Sequence, residues 1–556
     1  MTEHSALDAF LDPRPPDVPL GMVVGGSLSE GLLVNLDPRL SIERLAVGRY
    51  VVIEGASGSR FFGLITDIGL DAINPDLVRR PPDPGDAFAA SVLSGGVAYG
   101  LLKVTPMLVL AEGEDVPRPV KTIPSHFTAV HEASASDVER VFGAEDSKHF
   151  YIGSPLDMEQ VHVNLDLERL VERSSGVFGK SGTGKSFITR TLLAGVIRSG
   201  LASALIFDMH NDYGWTVYDE RGREFKGLRQ LFPDGRVSVL TLDEETSLAR
   251  KSKTDRTLKI GYDQIEPEDV ELVSHLMGLG DIQTGALYFL RRHLGKSWIA
   301  KLLEVGSEAE TAAAHDELQA LEDGGHILPG TLRAIQRKFE LFRRLDFLVP
   351  GTQEDMVEDI FQRLHQKTSV VLEFGRHGNM LEAYVLVANY LTRRIHRRYV
   401  DQTDRAAGKR ADKPQPLVIV IEEAHKFLDP SVAGHTIFGN IARELRKYSV
   451  TLLVVDQRPS GIDDEVMSQI GTRITCLLDN EADIRAVFSG VSGAGALREV
   501  LARLDTRQQA LILGHAVPMP VVVRTRDYDP ALYAALGAGG DTKDRARKGA
   551  ETLYGK

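Results

Sequence analysis

Between residues 19 and 110, apolar and polar positions alternate with a period of two. The runs GMVVGG, GLLVNL, YVVIEG, RFFGLITDIG, GVAYGLLKV and MLVLAEG are separated by Gly, Pro or Asp. That alternation and punctuation mark short strands joined by turns. Six such runs in succession predict a small closed β-barrel over 19–115. From about residue 151 the rhythm changes to strands alternating with helices, the signature of a parallel α/β sheet. Continuous apolar runs at 175–178, 203–207, 237–242, 369–374, 417–421, 450–455 and 473–478 fit strands covered on both faces. Between 244 and 365, VELVSHLMGLG, GALYFLRRHLGKSWIAKLLEV, AHDELQALEDG and TLRAIQRKFELFRRL carry helical spacing instead.

The expected fold class is therefore α/β, with an N-terminal barrel and an inserted helical bundle. The expected segments are a tail at 1–18, the barrel at 19–115 and a polar linker at 116–150. An α/β core follows in two pieces, 151–243 and 366–530, interrupted by the helical insertion at 244–365, and a tail of small and polar residues occupies 531–556.

Composition narrows the function classes. The chain has 556 residues, a net charge of −13 and a single cysteine, Cys476. One cysteine excludes an intrachain disulfide framework and a cysteine-built zinc site. No apolar run approaches the roughly 18 residues that span a bilayer. The opening MTEHSALDAFLDPRPPD has neither the basic start nor the apolar stretch of a secretory signal, so the cytoplasm is the expected compartment and no membrane partner is expected. A net acidic chain does not coat itself in nucleic acid, although a basic channel within an acidic exterior still attracts phosphate.

Residues 179–186 read GKSGTGKS and fit G-x-x-x-x-G-K-[ST], the phosphate-binding P-loop. Gly179, Gly182 and Gly184 let the backbone turn its N–H groups inward, with Ser181 and Thr183 between them. Lys185 opens a helix whose positive end faces the same anion, and its ammonium suits the β- and γ-phosphates. Ser186 suits Mg²⁺. An apolar strand precedes the motif and an amphipathic helix follows it, so ATP with Mg²⁺ is the expected cofactor pair.

Three further strands end in polar groups. LVIVIEEAH (417–425) ends in Glu422 and Glu423, suited to the Mg²⁺ shell and to activating water; a solvated pair opening a helix is the plainer alternative. TLLVVDQRPSG (451–461) presents Gln457, either a γ-phosphate sensor or a turn residue. ALIFDMHNDYG (204–214) presents Asp208, suited to supporting Mg²⁺ or water, and His210, which suits a structural hydrogen bond better than catalysis. IFGNIARELRKYS (437–449) has an apolar face, and Arg443, Arg446 and Lys447 lie off it. Such a trio is usually a solvated face, but its place between the acidic pair and Gln457 also suits an arginine that reaches a neighbouring subunit's nucleotide, Arg446 before Arg443.

The ordered set GKSGTGKS, LIFDMHNDYG, VIVIEEAHKF, IARELRKYSVTLLVVDQRPSGID and SQIGTRITCLLDNEADIRAVF resembles HerA, the hexameric DNA translocase family of the HerA–FtsK group of P-loop ATPases. The resemblance implies a RecA-like P-loop ATPase core, a barrel of the HAS type and a homohexameric ring around double-stranded DNA, with ATP at subunit interfaces. By motif, Lys185 and Ser186 bind nucleotide and Mg²⁺, Glu422 is the metal-side acid and Glu423 the catalytic one. Gln457 is the sensor, and Arg446 or Arg443 acts in trans. The first acid is Glu422 where P-loop enzymes often carry Asp.

The family implies a partner docked on the barrel side. A NurA-type nuclease would mean DNA end resection and repair. A sirtuin-like NADase or other effector would mean a ring that scaffolds antiviral defence. A protein-translocating secretion ATPase is a further alternative. Lys426, Arg376, Arg291 and Arg292 are the basic residues that suit DNA-gripping loops, although each also suits an ordinary surface charge.

Overall fold

The computed structural model describes residues 19–73, 83, 85, 93, 97–111, 113, 114, 117–156, 158–219, 221–305, 312–406, 413–431, 433, 434, 436–443, 447–491, 494–505 and 508–537. The expected tail at 1–18, most of that at 531–556, and Arg446 lie outside them. The chain divides into two compact units, residues 1–165 with 474–525 and residues 166–473 with 526–556.

In the first unit the alternating runs form one antiparallel sheet closed on itself. Around the barrel the order is Gly31–Leu36, Gly21–Ser27, Ala129–Glu132, Tyr50–Glu54, Arg60–Ala72 and Ala98–Leu110, which pairs back onto Gly31–Leu36. Closure leaves none of these six strands as an open edge. The inward positions, among them Val34, Val51, Ile53, Ile65, Leu102, Val104 and Val130, make its apolar core. Two strands, Arg60–Ala72 and Ala98–Leu110, are 13 residues each and pair along almost their whole length.

The stretch expected as a linker, 116–150, instead supplies barrel strand Ala129–Glu132 and helix Ala135–Phe142. Val130 is fully buried, but a strand of four residues is too short to show a period. The helix begins at a capping box, with the Ser134 amide donating to Asp137 Oδ2 at 2.9 Å and the Asp137 amide donating to Ser134 Oγ at 3.2 Å. Strands His149–Pro155, Val521–Thr525 and Gln509–Gly514 also belong to this unit and pair antiparallel. Residues 474–525, expected within the α/β core, thus group with the barrel.

The second unit is built on a parallel sheet. Its strand order is Val237–Thr241, Ser369–Glu373, Ser203–Asp208, Leu417–Glu422, Val450–Asp456 and Ser175–Phe178. Every residue of these six strands is buried, which is why they read as unbroken apolar runs.

The insertion contains helices Pro267–Met277, Asp281–Leu294, Trp298–Glu304, Ala312–Asp323 and Pro329–Arg343. Its core holds Trp298 edge-on to Phe339 at 5.5 Å, with the indole N–H donating to the Ile265 carbonyl at 3.1 Å. Helix Leu381–Arg405 clamps the insertion through Arg393 and Arg394, which reach the fully buried Asp269 carboxylate at 2.7 and 2.8 Å. Among the described residues, no helix is long and apolar enough to cross a membrane.

Residues 526–537 return to this unit. Tyr528 packs 5.9 Å from Phe187, and its hydroxyl donates to the Lys226 carbonyl at 2.7 Å. The Lys226 amide donates to the Tyr533 hydroxyl at 3.3 Å.

Candidate active site

The parallel register brings the predicted motifs to one edge. Phe178 lies opposite Asp456, Glu422 opposite Val455 and Ile206 opposite Val420. The loops after these strands therefore leave the sheet at its C-terminal side, where ligands gather in open α/β folds. After strand Ser175–Phe178 comes the loop GKSGTG, then helix Lys185–Ser199. Gly182 and Gly184 take φ of +79° and +96°, left-handed angles that a side chain would strain. The Gly179 amide donates to the Asp456 carbonyl at 3.3 Å, which ties the loop to the neighbouring strand. Thr183 Oγ1 donates to the Lys180 carbonyl at 2.7 Å and Lys185 Nζ to the same carbonyl at 2.9 Å. Ser186 is the second residue of the helix, where the dipole favours phosphate.

Glu422 ends its strand with its side chain buried. Oε1 accepts the Tyr213 hydroxyl at 2.8 Å, and Oε2 is buried with no hydrogen-bond partner. Burial pushes this carboxyl above the ordinary carboxylate range, while the His210 charge and the Tyr213 hydroxyl pull it down. A buried carboxylate oxygen left without a donor is the chemistry a hard divalent cation satisfies, so Glu422 fits a Mg²⁺ site with Ser186.

Glu423 adopts a left-handed backbone (φ 49°, ψ 46°) that turns its side chain out of the strand line. Its Oε1 accepts from Gln457 Nε2 at 2.7 Å. Its Oε2 lies 3.6 Å from His425 Nδ1. Asp456 organises this group. Its Oδ2 takes the His425 amide at 2.7 Å and lies 3.0 Å from His425 Nδ1, and its Oδ1 takes the Arg458 amide at 2.6 Å. Glu423, His425 and Asp456 thus cluster beside the P-loop, with His425 hydrogen-bonded to Asp456 and the Asp456 oxygens already engaged.

Asp208 ends strand Ser203–Asp208, fully buried. Its carboxylate is taken up by backbone, with Oδ1 accepting from the Asp212 amide at 2.6 Å and Oδ2 from those of Tyr213 and Gly214 at 2.8 and 3.3 Å. Burial and the nearby Glu373 charge raise its pKa, against the pull of these amides.

Arg443 ends helix Ile437–Arg443. Its guanidinium donates to Glu465 at 3.1 Å and to the Ala433 carbonyl at 3.2 Å, and lies 3.8 Å from Asp463. Arg376 pairs with Asp243, Glu245 and Asp346, and Arg291 with Glu266.

Sequence reading missed Tyr213, Tyr384, His425 and Asp456 as site residues. Each sits within a quoted motif or on a helix facing one, yet an isolated Tyr, His or Asp in an apolar run carries no local sign of its partner.

A P-loop at a strand–helix junction, beside two strand-end glutamates and a glutamine, defines a P-loop ATPase, an ATP-hydrolysing enzyme. A family model described as the central domain of helicase HerA matches residues 150–395. The chain is 26% identical over 532 residues to the DNA double-strand break repair helicase HerA of Sulfurisphaera tokodaii, covering 92% of this chain and 94% of that one. It is 24% identical over 431 residues to the protein of the same name from Pyrococcus furiosus, covering 74% of each. Among solved structures, VirB4 of Thermoanaerobacter pseudethanolicus is 14% identical with a TM-score of 0.45, covering 70% of this chain and 99% of that one. By these matches the chain is similar to the HerA helicases over most of its length.

Proposed function

We propose that this chain is an ATP-driven double-stranded DNA translocase, a homohexameric ring that works with a partner nuclease of the NurA type in DNA end resection. The observation that carries the reading is the placement of Glu422, Glu423 and Gln457 at the strand ends beside the P-loop. The relatives' names, DNA double-strand break repair helicase, support DNA as the track and repair as the setting. The closed barrel is the proposed docking surface for the partner.

Backbone amides of 179–184 and the Lys185 ammonium bind the phosphates, with Ser181 and Thr183 in the loop. Ser186 and Glu422 hold Mg²⁺, which when bound neutralises charge on the β- and γ-phosphate oxygens. Glu423 orients the attacking water and accepts its proton. Gln457 ties the position of Glu423 to the γ-phosphate. Asp208 serves the site from behind, by shaping the turn that follows it. Arg446 supplies the positive charge across the subunit interface, because Arg443 is already held by Glu465 and Asp463 of its own chain.

The test is DNA-stimulated ATP hydrolysis by purified Lys185→Ala and Glu423→Ala proteins. Both are expected to lose it while keeping the wild-type melting temperature. Normal turnover by either refutes the assignment. A mass measurement with and without ATP tests the hexamer.

A further inference from the structure

We infer that Tyr213 is the positioning residue of the metal-side acid: its hydroxyl occupies one oxygen of Glu422 so that the other is presented to the Mg²⁺ of the nucleotide. The inference deepens the proposed function and rests on Glu422 facing that ion.

Glu422 is fixed at three points. Its amide donates to the Tyr384 hydroxyl at 3.0 Å, and that hydroxyl donates back to the Glu422 carbonyl at 3.2 Å. Tyr213 then takes Oε1 at 2.8 Å. The backbone is pinned on both sides and one carboxylate oxygen is used, which leaves Oε2 as its single buried, partnerless oxygen. A carboxylate free to rotate would offer the cation two equivalent oxygens and bear the entropy of fixing one of them. This one is already set.

Tyr213 is itself held from three directions. Asp208 accepts from the amides of Asp212, Tyr213 and Gly214, which folds the 208–214 turn under the sheet edge. A Cβ on Gly214 would stand 2.6 Å from Glu373 Oε1, so the Glu373 side chain would have to shift to admit one. The guanidinium of Arg190, itself 2% exposed, lies 5.9 Å from the Tyr213 ring centroid, with Nε and Nη1 lacking hydrogen-bond partners. A cation on the face of a phenol holds the ring and makes its hydroxyl a stronger donor. The DMHNDYG segment therefore acts through Glu422: the aspartate sets the turn, the turn sets the tyrosine and the tyrosine sets the acid. Partners of this kind behind a metal-binding carboxylate typically change metal affinity by about 10–100-fold when lost.

The experiment uses the full chain with Tyr213→Phe, which keeps the ring and removes the donor. Two quantities are read: the Mg²⁺ concentration for half-maximal ATP hydrolysis, and Mn²⁺ binding to the protein–ADP complex by electron paramagnetic resonance. The expected result is a midpoint raised by roughly tenfold or more and a matching loss of Mn²⁺ affinity, with ADP affinity in EDTA unchanged. Asp208→Asn, which weakens the turn without touching the ring, is expected to shift both in the same direction and covers the case in which Tyr213→Phe does not fold. Wild-type midpoints in both variants overturn the inference, as does a loss of ADP affinity in EDTA equal to the loss with metal, which marks a packing role. Glu422→Gln separates the two levels: if it leaves Mn²⁺ binding intact, the underlying metal assignment fails, whatever Tyr213 does.

Discussion

Gln457 Nε2 donates to Glu423 Oε1 at 2.7 Å, so the proposed sensor and the proposed base are one hydrogen-bonded unit. The amide orients the carboxylate and reports on whatever displaces it. Glu423→Gln is expected to lower kcat by about 10²–10⁴-fold with ATP affinity retained. Gln457→Ala is expected to lower kcat as well, with unchanged binding of a fluorescent ATP analogue. Steady-state turnover within a few-fold of wild type in Glu423→Gln removes the carboxylate from the base role.

Arg443 and Arg446 are expected to separate by mixing. Arg443→Ala breaks contacts to Glu465, Asp463 and the Ala433 carbonyl, so it lowers the melting temperature. Arg446→Ala is expected to leave melting unchanged and abolish hydrolysis. Combined with inactive Lys185→Ala subunits it should regain part of that activity, because some interfaces then hold an intact P-loop facing an intact arginine. No recovery in mixed rings argues against action in trans.

Much of this site was legible in the sequence because its parts are local. The P-loop, the Glu422–Glu423 pair and Gln457 each end an apolar run, and a polar residue at the end of a buried parallel strand has few places to go. The helical insertion was legible by its change of period. Asp456 was not, because its role depends on lying across from Phe178 in a parallel register between distant stretches of chain. Tyr213 was not, because the hydroxyl that reaches Glu422 comes from the turn after another strand. Barrel strand Ala129–Glu132 was lost to its shortness, and the three acids that pair with Arg376, a residue suited to a DNA-gripping loop or an ordinary surface charge, come from distant stretches of chain.

Asp269 tests how the insertion is held. Asp269→Ala removes the one carboxylate that both Arg393 and Arg394 reach. Removal of one partner from a buried pair costs about 3–5 kcal/mol, and the partial exposure of both arginines places this case at the low end. Hydrogen exchange should rise first in helix Pro267–Met277. Protection equal to wild type there would show that packing around Trp298 suffices.

Glu373 predicts a pH dependence. Burial raises its pKa above 4.5, against the Ser252 and Ser247 hydroxyls that favour the charged form. The folded state therefore binds this proton more tightly than the unfolded state does. The resulting stabilisation is complete below the unfolded value and is lost as pH rises through the folded one. Glu373→Gln carries no such loss. Its melting temperature relative to wild type should climb as pH rises from about 4.5, the unfolded value, towards neutrality. A difference that stays flat over that range would show the carboxyl to be unperturbed.

Phe225 packs on Phe187 at 4.8 Å, and Tyr528, far along the chain, completes that aromatic cover at 5.9 Å. The helix that receives phosphate is thus translated long before the residue that seals its flank. A ribosome-bound nascent chain can form the P-loop strand and helix early, yet their finished packing waits until Tyr528 has emerged. Premature release upstream of Tyr528 would leave Phe187 covered by Phe225 alone, so only chains that extend past Tyr528 would acquire a fully braced nucleotide pocket.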